Sequence, residues 1–287
     1  MTLASLTALL PKTAAIRRFA NTEGREKADR EADRMPATLR EERAITFNPE
    51  AYPLDMIIAK MLLQSGDPSQ LGLIHELAEI GTGSCRGRPT VINKRYRNRG
   101  ISVGDMADEF RFMCGRFVED VVAPALNCSD GLVYQADPVL RCHIPGDAPL
   151  GAPHRDESYG RQPWEVNVWL PITPVMASNS LWVESSPGKE DWHPFESEAF
   201  GKAFLFWGSQ CTHFTLPNET GRTRVSLDIR VVPRSLFVDH YVSPLSKSGS
   251  ANHFLGGSYT DLDTERLWRH EQQRQSPSGV SVDGDRG

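Results

Sequence analysis

The chain has 287 residues, with 32 Lys and Arg against 37 Asp and Glu, a formal net charge of −5. Its ordinary apolar and charged content suits a globular protein with a sizeable core, and the acidic balance excludes a nucleic-acid footprint while mildly favouring a cationic small-molecule partner. No stretch reaches the roughly 18 apolar residues of a membrane span, and the five cysteines, without a C-x-x-C pair, predict a reducing, cytoplasmic setting rather than a disulfide framework or zinc ribbon.

Residues 1–20 suit a short helix, and Arg17 and Arg18 follow its apolar run, the reverse of a secretory signal. Residues 21–44 are dense in Arg, Glu, Asp and Lys. They read as a solvated helix or connector, with a lid over an active site as the alternative. One domain is expected over 45–271. Leu54–Leu63 and Leu71–Ile80 carry helical apolar spacing, and Met106, Phe110, Met113, Phe117 and Val121 line one face of an amphipathic helix. Gly81-Thr82-Gly83 followed by Gly87 misses the spacing of a phosphate loop. Asn127-Cys128-Ser129 and Asn218-Glu219-Thr220 match the glycosylation sequon, which carries no weight without export.

After Asn127 the pattern changes to short strands. Expected are Gly131–Ala136, Val139–Ile144, Trp164–Leu170, Ser180–Glu184, Ala203–Trp207, Cys211–Leu216 and Thr223–Val232, with Pro145-Gly146 and Pro187-Gly188 in turns. Helices followed by many strands predict an α+β fold in which two sheets form a jelly roll over about 130–235. The polar tail, residues 272–287, reads as disordered.

Chemistry concentrates in Pro153-His154-Arg155-Asp156 and in His213. On an extended chain, residues i and i+2 face the same way, so His154 and Asp156 can reach one metal. His213 completes two imidazoles and one carboxylate, a set that leaves coordination positions open and suits non-haem Fe(II). Downstream, Thr223 to Val232 alternates: Arg224, Ser226, Asp228 and Arg230 share one face, and Val225, Leu227, Ile229 and Val231 the other. Arg224 with Ser226 can hold a carboxylate at two points. Arg222 and Arg230 compete for that role, but Arg230 lies about 20 Å along the strand at about 3.3 Å per residue.

Glu165, Asn167 and Trp169 share a strand face. Trp169 either walls a cofactor pocket or fills the barrel. Arg141 can touch cofactor or substrate, and Arg155, Glu157, Tyr159 and Arg161 form a candidate rim. A Cys/His zinc site from Cys142, His143, Cys211 and His213 is a weak rival, because thiolates favour zinc and the spacing fits no standard set. His75, His193, His240, His253 and His270 read as surface or satisfied core residues.

The His-x-Asp…His triad followed by Arg-x-Ser resembles the Fe(II)/2-oxoglutarate-dependent oxygenases of the phytanoyl-CoA dioxygenase-like branch. Val168-Trp169-Leu170-Pro171-Ile172-Thr173, Asn179-Ser180-Leu181-Trp182-Val183-Glu184 and Ser186-Pro187-Gly188 extend the likeness across roughly residues 130–235. The stretch from Pro153 to Pro171 looks most like oxygenases of aminocyclitol antibiotic pathways, orthoester-forming ones among them. The resemblance implies a double-stranded β-helix. It implies Fe(II) on His154, Asp156 and His213, with 2-oxoglutarate and O2 as cosubstrates. Arg224 and Ser226 are then expected to hold 2-oxoglutarate, with Trp169, Asn167 and Arg141 in contact with it. The expected substrate is a polar aminocyclitol glycoside, closed oxidatively into a ring or hydroxylated. Asp156 argues against a halogenase of the superfamily. Rival readings are a hydroxylase of a lipid or acyl-CoA, a non-oxidative metal-binding cupin, and a non-catalytic binding barrel.

Overall fold

The structure, a computed structural model, describes residues 22–63, 66–76, 104–128, 130–136, 138–146, 153–245, 255 and 259–275. The helix expected over residues 1–20, the Gly81–Gly83 segment, Cys85 and the last part of the tail lie outside them. Among the described residues no helix is long and apolar enough to cross a membrane.

Helix α1 (Thr22–Ala32) and the short α2 (Ala37–Arg40) come first. The expected solvated helix is thus present over Thr22–Ala32, with Glu26, Lys27, Asp29 and Arg30 exposed, but the segment is also anchored to the core. Ala28, Ala32, Met35 and Leu39 are buried, Trp164 Nε1 donates to the Glu31 carbonyl at 2.8 Å, and Tyr241 donates to the Glu31 carboxylate at 2.7 Å. The charges point outward from a narrow apolar face, which composition alone conceals. Strand β1 (Arg43–Thr46) crosses the boundary expected at 44.

Helix α3 (Leu54–Leu63) lies where its spacing predicts, and Pro68–Leu73 is a 3-10 turn. Helix α4 (Gly104–Phe117) runs through a π turn at Val118–Val122 into α5 (Ala123–Leu126), and ends at Asn127 in the left-handed conformation, φ 51°.

The strands follow: β2 (Leu132–Gln135), β3 (Val139–His143), β4 (Val166–Pro171), β5 (Leu181–Val183), β6 (His193–Pro194), β7 (Lys202–Phe206), β8 (His213–Thr215), β9 (Arg224–Pro233) and β10 (Tyr259–Asp261). Helix α6 (Leu262–Gln275) closes the described chain, so the tail expected from 272 begins inside a helix. The larger sheet is antiparallel in the order β1-β7-β4-β9-β2-β10, with β3 also paired to β9. A smaller sheet has the order β6-β5-β8.

Alternation along β4 and β9 sorts two cores. Val166, Val168 and Leu170 with Val225, Leu227, Ile229 and Val231 join Ile57, Ile58, Phe110 and Phe117 in the cluster under the helices. The opposite faces look into the barrel, where Trp169, Val183, Phe195, Phe204 and Phe206 cluster. Phe195 stacks on Phe204 with ring centroids 4.4 Å apart. Two antiparallel sheets around this aromatic cluster, with helices on one outer face, make the α+β jelly roll, a double-stranded β-helix.

Candidate active site

His154 is positioned by an isolated antiparallel bridge to His213: its N–H donates to the His213 carbonyl at 3.1 Å, and His213 N–H returns the bond at 2.9 Å. Arg155 is extended, and a 3-10 turn then starts at Asp156, whose N–H donates to the Gly208 carbonyl at 3.0 Å. The strand expected through His154 and Asp156 is thus one bridge long. The same-side placement survives because only the intervening residue has to be extended.

The ligand atoms of His154, Asp156 and His213 lie within 4.8 Å of one another. Asp156 Oδ1 is 3.5 Å from His154 Nε2 and 3.6 Å from His213 Nε2. Two ligands on neighbouring positions of an ion, each about 2.1 Å from it, stand about 3 Å apart, so a small inward movement fits all three to one metal. His213 Nδ1 lies 3.0 Å from the Cys211 carbonyl. A carbonyl can only accept, so Nδ1 carries the proton and Nε2 is left as the ligand.

Asp156 is 1% exposed. Burial alone would favour its neutral form, but the Arg230 guanidinium and the two imidazoles outweigh it and hold the carboxyl well below the usual range. Arg230 Nε donates to Asp156 Oδ2 at 2.7 Å, and Asn167 Nδ2 donates to the same oxygen at 2.8 Å. Asn167, expected to touch a cosubstrate, lines the pocket and also hydrogen-bonds the Asp156 carboxylate. Arg230, a rival for the carboxylate clamp, stands behind Asp156. Sequence reasoning missed both roles, and the only available signal was the strand face on which each lies.

Arg141, His154, Asn167, Trp169, His213, Arg224, Asp228 and Arg230 line one pocket with an empty volume of about 510 Å³. Arg224 is 1% exposed. Its NH1 donates to the Asn179 carbonyl at 3.2 Å, and its guanidinium carbon is 5.7 Å from the centre of the Trp169 ring. Among the described residues no carboxylate forms an ion pair with it. Burial pulls the Arg224 pKa down to about 10. Its Nε and the Ser226 Oγ are buried and find no hydrogen-bond partner among the described residues. A buried cation flanked by two orphaned polar atoms fits the carboxylate end of an anionic ligand. Arg222, the neighbouring rival, is exposed.

Arg141 is ion-paired with Asp228. Trp169 is both pocket wall and aromatic core. Of the four expected rim residues Tyr159 alone is exposed, with its ring edge-on to His154 at 5.1 Å. Glu157 is buried, held by Arg155 and by Gln210, both at 2.9 Å. Arg161 donates to the Tyr259 hydroxyl at 3.0 Å. A cysteine-based zinc site finds no support: burial pushes the Cys142 thiol up to about 12, and the His154, Asp156 and His213 group is the one such cluster among the described residues.

Fold and site together define a class: a jelly-roll barrel with a two-histidine, one-carboxylate cluster that could hold a metal ion, in a pocket shared with a buried arginine. A scan of known protein families finds no match. The chain is similar to the streptomycin biosynthesis protein StrG of Streptomyces griseus, 32% identical over 108 residues, which are 38% of this chain and 50% of that protein. It thus spans about half the length of the curated relative it matches. Among solved structures it is similar to the non-haem α-ketoglutarate-dependent epimerase SnoN from nogalamycin biosynthesis, with 13% identity, coverage of 83% of this chain and 99% of that one, and a TM-score of 0.47. It is also similar to the nickel complex of the non-haem monooxygenase ThoJ, with 15% identity, coverage of 84% and 99%, and a TM-score of 0.44.

Proposed function

We propose that the protein is a non-haem Fe(II)/2-oxoglutarate-dependent oxygenase that tailors a small molecule of an antibiotic pathway, a polar and cationic aminocyclitol glycoside. The observation that carries this reading is one pocket lined by His154 and His213, which cluster with Asp156, and by a buried Arg224 that has no carboxylate ion-pair partner among the described residues. The similarity to StrG, a streptomycin biosynthesis protein, supports the pathway, and the acidic balance of the chain supports a cationic substrate.

His154, Asp156 and His213 would hold iron, and Arg224 with Ser226 the far carboxylate of 2-oxoglutarate. Held there, iron with 2-oxoglutarate and O2 would supply the oxidation: 2-oxoglutarate would leave as succinate and CO2, one oxygen of O2 going into succinate and the other into a hydroxylated product, or into water when the substrate loses two hydrogens on closure. The remaining side chains orient and exclude. Trp169, Phe206 and Phe214 wall the pocket and keep water from the Arg224 cation, which strengthens its hold on an anion. Whether a substrate hydroxyl captures the oxidised carbon, closing a ring, or a hydroxyl is delivered instead depends on how the substrate is held.

The test begins without O2. Fe(II) and 2-oxoglutarate added together should produce a charge-transfer absorption in the wild-type protein and none in His213→Ala. O2 is then admitted and succinate release followed with candidate substrates, products being read by mass. Loss of two hydrogens denotes closure and gain of one oxygen hydroxylation. Succinate coupled to an acyl thioester and to no aminocyclitol glycoside would replace this substrate with a lipid. Metal binding that 2-oxoglutarate never perturbs would make the protein a non-oxidative cupin.

A further inference from the structure

Asp156 divides its two oxygens between different neighbours. Oδ1 faces the imidazole nitrogens at 3.5 and 3.6 Å. Oδ2 faces away from them and accepts from Arg230 Nε at 2.7 Å and Asn167 Nδ2 at 2.8 Å. A carboxylate oxygen has two lone-pair directions, and both on Oδ2 are taken. We propose that Arg230 is a positioning residue that, with Asn167, claims Oδ2 of Asp156, so that this carboxylate presents only Oδ1 to a metal. The proposal rests on the metal-site reading above.

The two donors are set by strand register. Asn167 on β4 and Arg230 on β9 are direct cross-strand partners, so their side chains emerge side by side on the barrel face. Each is held in turn. Arg230 NH1 donates to Gln135 Oε1 at 3.2 Å, and Glu165 Oε2 is 3.8 Å from Arg230 Nε. Gly208 closes over Asn167 so tightly that a Cβ there would stand 2.5 Å from the amide. Arg230 and Asn167 are 6% and 5% exposed, and Asp156 1%, so water offers no easy replacement for either donor. Freed from them, Asp156 could swing and give both oxygens to one ion, occupying a position that a chelating 2-oxo acid needs. The arrangement thus guards a coordination position for the cosubstrate without touching it.

The experiment uses Co(II) as a spectroscopic stand-in for iron, with the full-length protein under nitrogen. Wild type, Arg230→Met, Arg230→Lys and Asn167→Ala are loaded with Co(II), their visible ligand-field spectra recorded, and 2-oxoglutarate titrated in. Circular dichroism reports folding. The expected result is an altered Co(II) spectrum in Arg230→Met with 2-oxoglutarate affinity lower by on the order of tenfold or more. Arg230→Lys, which keeps a donor, should return part of the way. A folded Arg230→Met with the wild-type spectrum and affinity overturns the proposal. If Arg230→Met does not fold, Asn167→Ala decides: an altered spectrum upholds the proposal and a wild-type spectrum overturns it. A wild-type protein that takes up no Co(II), or a His213→Ala variant that takes it up equally well, marks failure of the metal site itself.

Discussion

Arg224 keeps a guanidinium in a dry place where, among the described residues, one backbone carbonyl is its hydrogen-bond partner. An unpaired buried cation is costly unless an anion arrives to meet it. Arg224→Ala should therefore raise the Michaelis constant for 2-oxoglutarate by roughly thirty- to a thousandfold, about 2–4 kcal/mol, and that of the prime substrate far less. Arg222→Ala, at an exposed neighbour, should leave both unchanged. Steady-state kinetics with each substrate varied in turn checks this, and an unchanged cosubstrate constant for Arg224→Ala moves the clamp elsewhere. Gly208→Ala should destabilise the fold by about 1–3 kcal/mol, because the new methyl group displaces the Asn167 amide. Urea unfolding measures it. The grouping of His154, Asp156 and His213, with Arg224 in the same pocket as the two imidazoles, was legible in sequence because each side chain names its own chemistry. Roles were not legible where they are defined by a partner distant in the chain. Asn167 and Arg230 meet Asp156 across 11 and 74 residues, and only the sheet register brings them there.

Among the elements, the central strands announced themselves by alternation or apolar runs, and β4, β7 and β9 lie within two residues of where the pattern put them. The edges did not. Strand β1 sits in a run of charge, Arg40-Glu41-Glu42-Arg43, and β6 has two residues, too few to show a period. Both belong to edges, where side chains face water and the apolar signal fades. The two edges are tied together: His193 on β6 lies 2.7 Å from the Glu42 carboxylate beside β1. That hydrogen bond, against a smaller effect of burial, raises the His193 pKa above its ordinary 6.5. The pair's stabilisation is then complete below pH 6.5 and is lost as pH rises through the raised value. Wild type should lose stability relative to Glu42→Gln on going from pH 6 to pH 8, read from paired urea titrations. Equal slopes for the two proteins would remove the pair from the account. In the core, Ile229→Ala on β9 should cost about 2–5 kcal/mol by leaving a cavity under the helices, and a smaller shift in the denaturant midpoint would show that the site collapses to fill it.

At the scale of the whole molecule, the chain's last described elements return to support its centre. Strand β10 pairs with β2, and the Tyr259 hydroxyl donates to Glu165 at 2.6 Å, next to Arg230. Glu265 on α6, 1% exposed, pairs with Arg111 on α4, and Arg269 with Glu119. Little in the polar composition of residues 259–275 foretold this, since the buried residues are Tyr259, Thr260, Leu262, Glu265 and Arg269, with a single aliphatic residue rather than an apolar stripe. A chain ending at Ser258 should unfold at markedly lower denaturant and bind Co(II) more weakly, because Glu165 and Arg111 lose their partners together. Equilibrium unfolding beside metal titration tests it, and wild-type behaviour in both would reduce the C-terminal elements to decoration.

Strand β9 runs for ten residues and carries Arg224, Ser226, Asp228 and Arg230 on alternate positions of a single face. The proposed grip on the cosubstrate and the brace on Asp156 are thus two ends of one rod. Such a rod tolerates exchange of a side chain far better than a change of length. Removing one residue between Arg224 and Arg230 would shift one end by a single step, turn its side chains outward under the helices and draw Val225 or Ile229 into the pocket. Relatives that share this chemistry should therefore differ in the spelling of this strand while keeping its count, and natural insertions should collect in the loops at its two ends.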